Sequence, residues 1–264
     1  MKEPPVIIVS GASRGLGAAV ASWLATAGGR VTLVARHEHR LDPVARQVKA
    51  LGGEALIIAA DVAEADACRR VAEATLERFG RIDALVNNAG VIEPLSRAAD
   101  ADPEAWRYNI SVNLLGPFYL ARFTLSALRA QRGRIVNVSS GAANHPISAA
   151  SAYCAAKAGL THLSRVLAAE EPDVTVMAMR PGVVDTDMQV FLRQQGPAAM
   201  PPAEAEYYAR LKPDGKLEPA WMPARVIAWM ALAAPASYSG EFFDYDDPRL
   251  VKPAVELLGD ESPF

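Results

Sequence analysis

The stretch Val6-Ile7-Ile8-Val9-Ser10-Gly11-Ala12-Ser13-Arg14-Gly15-Leu16-Gly17 decides the fold. Four β-branched residues in a row read as a strand buried on both faces, and the turn residues after them lead into a helical period from Leu16. Glycines at 11, 15 and 17 permit a tight turn and a close backbone approach. The helix amides that follow offer N–H donors and partial positive charge to a phosphate. A glycine-rich turn that only packs helix on strand has the same Gly-x3-Gly-x-Gly look. The position at the first strand-helix junction is what favours a dinucleotide.

Outward from this stretch, short apolar runs alternate with longer helical periods. Val6–Val9, Val31–Val34, Ala55–Ala59, Ile82–Val86, Arg134–Val138, Val174–Met179 and Gly240–Phe243 read as strands. Leu16–Ala27, Arg40–Leu51, Ala65–Phe79, Glu104–Ala130, Ala152–Glu170 and Ala220–Ala233 read as helices. The pattern predicts an α/β fold: a doubly wound, Rossmann-type, parallel seven-stranded sheet with helices on both faces, in a single domain over 1–264. Val183 to Pro219 is the exception. Gly196, Pro197, Pro201, Pro202, Pro213 and Gly215 interrupt short helical pieces there, which predicts a long loop region (183–219) covering a substrate.

The 264 residues carry 27 Lys+Arg against 30 Asp+Glu, a net charge of −3, with 51% hydrophobic residues. A core of useful size is expected, while the basic face of a nucleic-acid or anionic-membrane binder is not. The N-terminal apolar run is shorter than the roughly 7–15 residues of a signal core, and Val226–Ala234 falls short of the ~18 that a membrane span needs. Cys68 and Cys154 make no disulfide framework, so a cytoplasmic setting fits best. His37, His39, His145 and His162 are scattered, and no metal site is expected.

The second strand ends in Ala35-Arg36-His37, where an NAD site usually has a carboxylate for the ribose 2′-hydroxyl. Arg36, with Arg14 from the glycine loop, suits a 2′-phosphate instead, which predicts NADP(H). Both arginines also read as solvated surface positions, and Glu38 follows closely.

Ser139-Ser140 ends the fifth predicted strand, and Tyr153 and Lys157 stand four apart on the next helix, about 6 Å along its axis. A phenol, with its ordinary pKa near 10, is a poor proton donor at neutral pH, and an ammonium beside it is expected to lower that value. Ser140 is placed to hydrogen-bond a substrate oxygen. Pro117 lacks an N–H, so the carbonyl of Asn113 loses its helical partner and a kink is expected at Gly116-Pro117. The freed carbonyl either holds a water that links Lys157 to solvent or marks only a curve around the sheet.

With these residues in place, the chain resembles the short-chain dehydrogenase/reductase family over essentially its whole length. Its elements stand in family order: the glycine loop, Asp61-Val62, Asn87-Asn88-Ala89-Gly90, Asn113, Ser140, Tyr153-x3-Lys157 and Pro181-Gly182. The resemblance implies Tyr153 as acid/base, Lys157 as its activator and ribose ligand, Ser140 as donor to the substrate oxygen and Asn113 as relay support. For the cofactor it implies Gly11, Ser13, Arg14, Gly15, Leu16, Gly17, Arg36, Asp61, Val62, Asn88, Ala89, Gly90, Pro181, Gly182, Val184 and Thr186. Of the two serines, Ser140 has the family's thirteen-residue distance to Tyr153.

The C-terminal third, from Arg180-Pro181-Gly182 to Phe243-Asp244-Tyr245, resembles the sepiapterin reductase and benzil reductase branch. It implies an NADPH-dependent carbonyl reductase for ketones or 1,2-diketones; a 3-oxoacyl or sugar-alcohol oxidoreductase and a non-catalytic dinucleotide sensor are the alternatives. Asp244 matches a substrate-gripping acid of that branch and reads equally as a cap on a strand end. His145 either reaches the substrate or belongs to the Asn144-His145-Pro146 turn. The family also implies a homodimer or homotetramer.

Overall fold

Side chains alternate across a strand, so a strand between two helix layers feeds two cores. In the computed structural model, which describes residues 3–263, Ile7 and Val9 of β1 (Val6–Ser10) enter one hydrophobic cluster and Ile8 the other. Met1, Lys2 and Phe264, the ends of the expected 1–264 domain, lie outside the described residues. The remaining strands are β2 (Arg30–Ala35), β3 (Glu54–Ala59), β4 (Ala84–Asn87), β5 (Arg134–Val138), β6 (Thr175–Arg180) and β7 (Phe242–Asp244). All pair in parallel in the order β3-β2-β1-β4-β5-β6-β7. Val9 lies beside Leu33 on one side and Val86 on the other. The chain steps outward in opposite directions from β1 and β4, and the crevice of such a switch point opens at their carboxyl ends.

The helices are α1 (Gly15–Thr26), α2 (Asp42–Ala50), α3 (Ala65–Phe79), α4 (Pro103–Ile110), α5 (Gly116–Gln131), α6 (Ser151–Glu170), α7 (Asp187–Ala199), α8 (Pro202–Leu211), α9 (Trp221–Ala233) and α10 (Pro248–Leu258). Buried faces of α1, α2, α9 and α10 share one core, with Trp23 and Phe243 among its largest side chains. Those of α3, α5 and α6 share the other. A third, smaller cluster joins Ile92 and Tyr153 to Leu192, Ala205 and Tyr208 of α7 and α8.

The structure departs from the sequence expectation at three places. The expected single kinked helix Glu104–Ala130 is α4 and α5 joined by a π turn, Ser111–Leu115, in which the Gly116 N–H donates to the Ser111 carbonyl five residues back. Pro117 follows directly, and the chain widens one turn just where the Asn113 carbonyl lacks the N–H of a residue four further on. Val183 to Pro219 is mostly regular: Pro201 and Pro202 stop α7 and start α8 rather than breaking a helix. Finally, α10 is a whole helix that Pro248 and Pro253 disguise; Pro248 opens it behind Asp247, whose side chain accepts from the Arg249 N–H.

Candidate active site

A cavity of about 1040 Å³ occupies the crevice. Its floor is the glycine loop, and two glycines there have no alternative. A Cβ on Gly11, whose φ is +66°, would lie 2.7 Å from the Ala89 Cα. One on Gly17 would lie 2.3 Å from the Gly11 carbonyl oxygen. The loop is tied to the end of β4 by side chains. Ser10 Oγ accepts from the Asn88 and Ala89 N–H groups, and Asn88 Nδ2 donates to the Ser10 and Gly11 carbonyls. The Asn88 amide, expected on the cofactor ribose, is thus bonded to the loop itself. Arg14 ion-pairs with Asp187, and the Thr186 methyl would stand 3.2 Å from a Cβ on Gly15, so the start of α7 faces the loop.

The opposite wall carries Tyr153 and Lys157 in the first turns of α6. A buried polar chain fixes that helix to the sheet: Asn87 Nδ2 donates to Asn137 Oδ1 at 2.8 Å, and Asn137 Nδ2 donates to Ser164 Oγ at 2.8 Å. Lys157 Nζ donates to the Val138 carbonyl at 2.8 Å and sits 5.6 Å from the Tyr153 ring centroid. The adjacent serines do different work. Ser139 Oγ is held by Thr161 Oγ1 at 2.6 Å inside the core, whereas Ser140 Oγ accepts from the Ala142 N–H and hydrogen-bonds to Tyr153.

Burial decides the acid–base character of the pair. It raises the Tyr153 phenol above its usual value, opposed by the Ser140 hydrogen bond, and it lowers the Lys157 ammonium to about 8. In a dry wall, loss of hydration disfavours the charged form of each group, the phenolate and the ammonium alike.

All of the named candidate residues line the cavity except Asn113. Asn113 is fully buried one layer behind, with Nδ2 donating to the Val91 carbonyl at 2.7 Å and Oδ1 2.9 Å from where a Gly90 Cβ would be. Asp244 faces the cavity but is ion-paired with Arg180 at 2.5 Å, its partner in the β6–β7 register. His145 faces it too, and its N–H bonds to the Gly141 carbonyl in a turn. Tyr108, Arg40, Arg180 and Gln189 also line the cavity. None was expected there, and for Tyr108, Arg40 and Gln189 the reason is that each belongs to a helix whose distance to the crevice is set by tertiary packing. Only Arg180, directly before Pro181-Gly182, had a sequence signal. Among the described residues no cluster of His, Cys, Asp or Glu is placed to hold a metal, and no helix is long and apolar enough to cross a membrane.

Comparison with known proteins gives a consistent picture. Residues 5–196 match the family model of the short chain dehydrogenases. The chain is 34% identical to an uncharacterized oxidoreductase of Saccharomyces cerevisiae, over 93% of its own length and 97% of that protein. It is 32% identical to the benzil reductase ((S)-benzoin forming) IRC24 of the same yeast, over 93% and 97%. The crystal structure of the KRED1-Pglu enzyme superposes with a TM-score of 0.85 at 36% identity, covering 90% of this chain and 99% of that one.

Proposed function

The chain belongs to the short-chain dehydrogenase/reductase family of oxidoreductases, and from that premise we propose that it is an NADP(H)-dependent carbonyl reductase acting on ketones or 1,2-diketones. One observation carries the reading: Ser140, Tyr153 and Lys157 meet in a cavity continuous with the glycine loop and with Arg14 and Arg36. The glycine loop, whose close approach to the Ala89 backbone and to itself leaves no room for a Cβ at position 11 or 17, fits a pyrophosphate at the start of α1, and the two guanidinium groups fit one further phosphate. A bound nicotinamide dinucleotide supplies the hydride for the carbonyl carbon.

The chain's own residues handle the oxygen. Tyr153, protonated at neutral pH, gives its proton to the oxygen as charge develops there, and Ser140 donates a second hydrogen bond. Lys157 supplies positive charge beside the phenol and, with Asn88 to Gly90, a wall for the ribose. Asn113 supports that wall from behind and is the relay residue toward solvent. The α7–α8 pair, with Met188, Leu192, Tyr207 and Tyr208 facing the cavity, covers the substrate. The similarity to a benzil reductase supports a diketone.

A carbonyl panel tests the reading. Benzil is expected to be reduced with NADPH, and the KM for NADPH to lie at least about tenfold below that for NADH, since a charge-assisted bond to a phosphate is worth about 1.5–3 kcal/mol. A preference for NADH, or turnover of acetoacetyl thioesters without diketones, overturns it. The pH profile is a second check. Above about pH 8 Lys157 loses its proton in the free enzyme, so its charge is present below that point and gone above it. The kcat/KM for NADPH, whose pH profile reports groups of the free enzyme, is therefore expected to be flat below pH 8 and to fall with a one-proton slope above it; a profile that stays flat beyond pH 9 refutes the role.

A further inference from the structure

Tyr108 stands at the end of the cavity away from the chemistry, on the last turn of α4. Its hydroxyl accepts a hydrogen bond from Arg36 Nη1 at 3.1 Å and donates one to Asp61 Oδ2 at 2.9 Å. Asp61 is held in turn, because its Oδ1 accepts from the Ala63 N–H at 3.0 Å. One phenol therefore joins residues from the carboxyl ends of β2 and β3 to a helix on the far side of the sheet order, and all three line the cavity. The ring packs against the second core. The bond to Tyr108 is the one hydrogen bond that the Arg36 side chain makes among the described residues.

An arginine on a free stem loses much rotamer freedom when it binds, and one already held loses less. Burial and the Asp61 bond raise the Tyr108 phenol above its usual value, so it keeps its proton and the donor–acceptor order stays fixed at neutral pH. Asp61 by itself would draw the guanidinium into a direct ion pair and repel a phosphate. The phenol between them keeps the two charges in one network while leaving Arg36 free to bind an anion with its remaining N–H groups.

We infer that Tyr108 is a positioning residue for cofactor choice: it holds the Arg36 guanidinium, through Asp61, ready for a phosphate monoester on the 2′-oxygen of an adenosine ribose. The inference rests on Arg36 as the 2′-phosphate ligand, and the test separates the two. Dissociation constants for NADPH and NADH are measured by fluorescence titration for the wild type, Tyr108→Phe, Arg36→Leu and the double variant.

Tyr108→Phe keeps the ring and removes the hydroxyl. It is expected to weaken NADPH about fivefold while changing NADH less than about twofold, and to have no further effect once Arg36 is Leu. Three results overturn the inference while leaving the Arg36 reading intact: Tyr108→Phe weakens both cofactors alike, as a purely structural role would; its effect persists in the Arg36→Leu background; or it has none although Arg36→Leu selectively weakens NADPH. If Arg36→Leu leaves the NADPH to NADH ratio unchanged, the 2′-phosphate reading fails and the inference with it.

Discussion

Tyr153→Phe is expected to lower ketone reduction by about 10²–10⁴-fold, the usual contribution of a positioned general acid, while NADPH binding stays within about threefold of wild type. Phenyl fills the same volume in the third core cluster, so packing among Ile92, Leu192 and Tyr208 is retained. What disappears is the proton donor in contact with Ser140, and the Ser140 hydroxyl stays anchored to the Ala142 N–H. The phenol is protonated at neutral pH, so the resting enzyme carries the proton that reduction consumes; alcohol oxidation needs the phenolate and is expected to gain as pH rises. Single-turnover oxidation of NADPH, with cofactor affinity and the thermal midpoint as controls, is the measurement. Activity within tenfold of wild type places the acid elsewhere.

Gly17→Ala is expected to weaken NADPH at least about tenfold and to destabilise the fold by about 1–3 kcal/mol, the range for an overpacked site. Two effects oppose each other. Alanine in the first turn of α1 gains up to about 1 kcal/mol of helix propensity. The new methyl, however, would lie 2.3 Å from the Gly11 oxygen and 2.5 Å from Asn88 Nδ2. Gly11 has nowhere to retreat, since the Ala89 backbone already stands within 2.7 Å of its own missing Cβ. The loop must open, breaking the Asn88 bonds to Ser10 and Gly11 and spoiling the phosphate cradle. A urea titration and a cofactor titration read the two effects separately. A variant of unchanged affinity shows that the loop can shift without losing its ligand geometry.

The features legible in the sequence are those written locally. Buried parallel strands declare themselves as β-branched runs, the glycine loop as three glycines at one junction, and Tyr153 with Lys157 as a four-residue step on one helix. Spacing alone separates Ser140 from Ser139 in the sequence; that the Ser139 hydroxyl is taken up by Thr161 is visible only in the fold. Proline misled in both directions. It reads as a breaker, yet Pro202 and Pro248 sit in first helical turns, where the missing N–H is no loss. The acid–base state of Tyr153 was not legible, because it depends on how much water the finished wall excludes. Nor was the Arg36–Tyr108–Asp61 chain: its members are 72 and 47 residues apart, and only the strand order brings them together.

The π turn at Ser111–Leu115 is in effect one extra residue spliced into a continuous helix, and one residue of helix corresponds to about 100° of azimuth. It therefore works as a phase shifter between two functions. Downstream, Leu120, Ala121 and Leu128 keep α5 seated on the sheet. Upstream, the shifted phase lets α4 aim Tyr108 at Asp61 while Asn109 reaches the carbonyls of Val91 and Glu93. No regular helix with the α5 face fixed could present both upstream side chains in these directions. What this segment encodes is thus a length, a count of residues between two anchored faces, and the Tyr108–Asp61 contact and the seat of α5 share that single count.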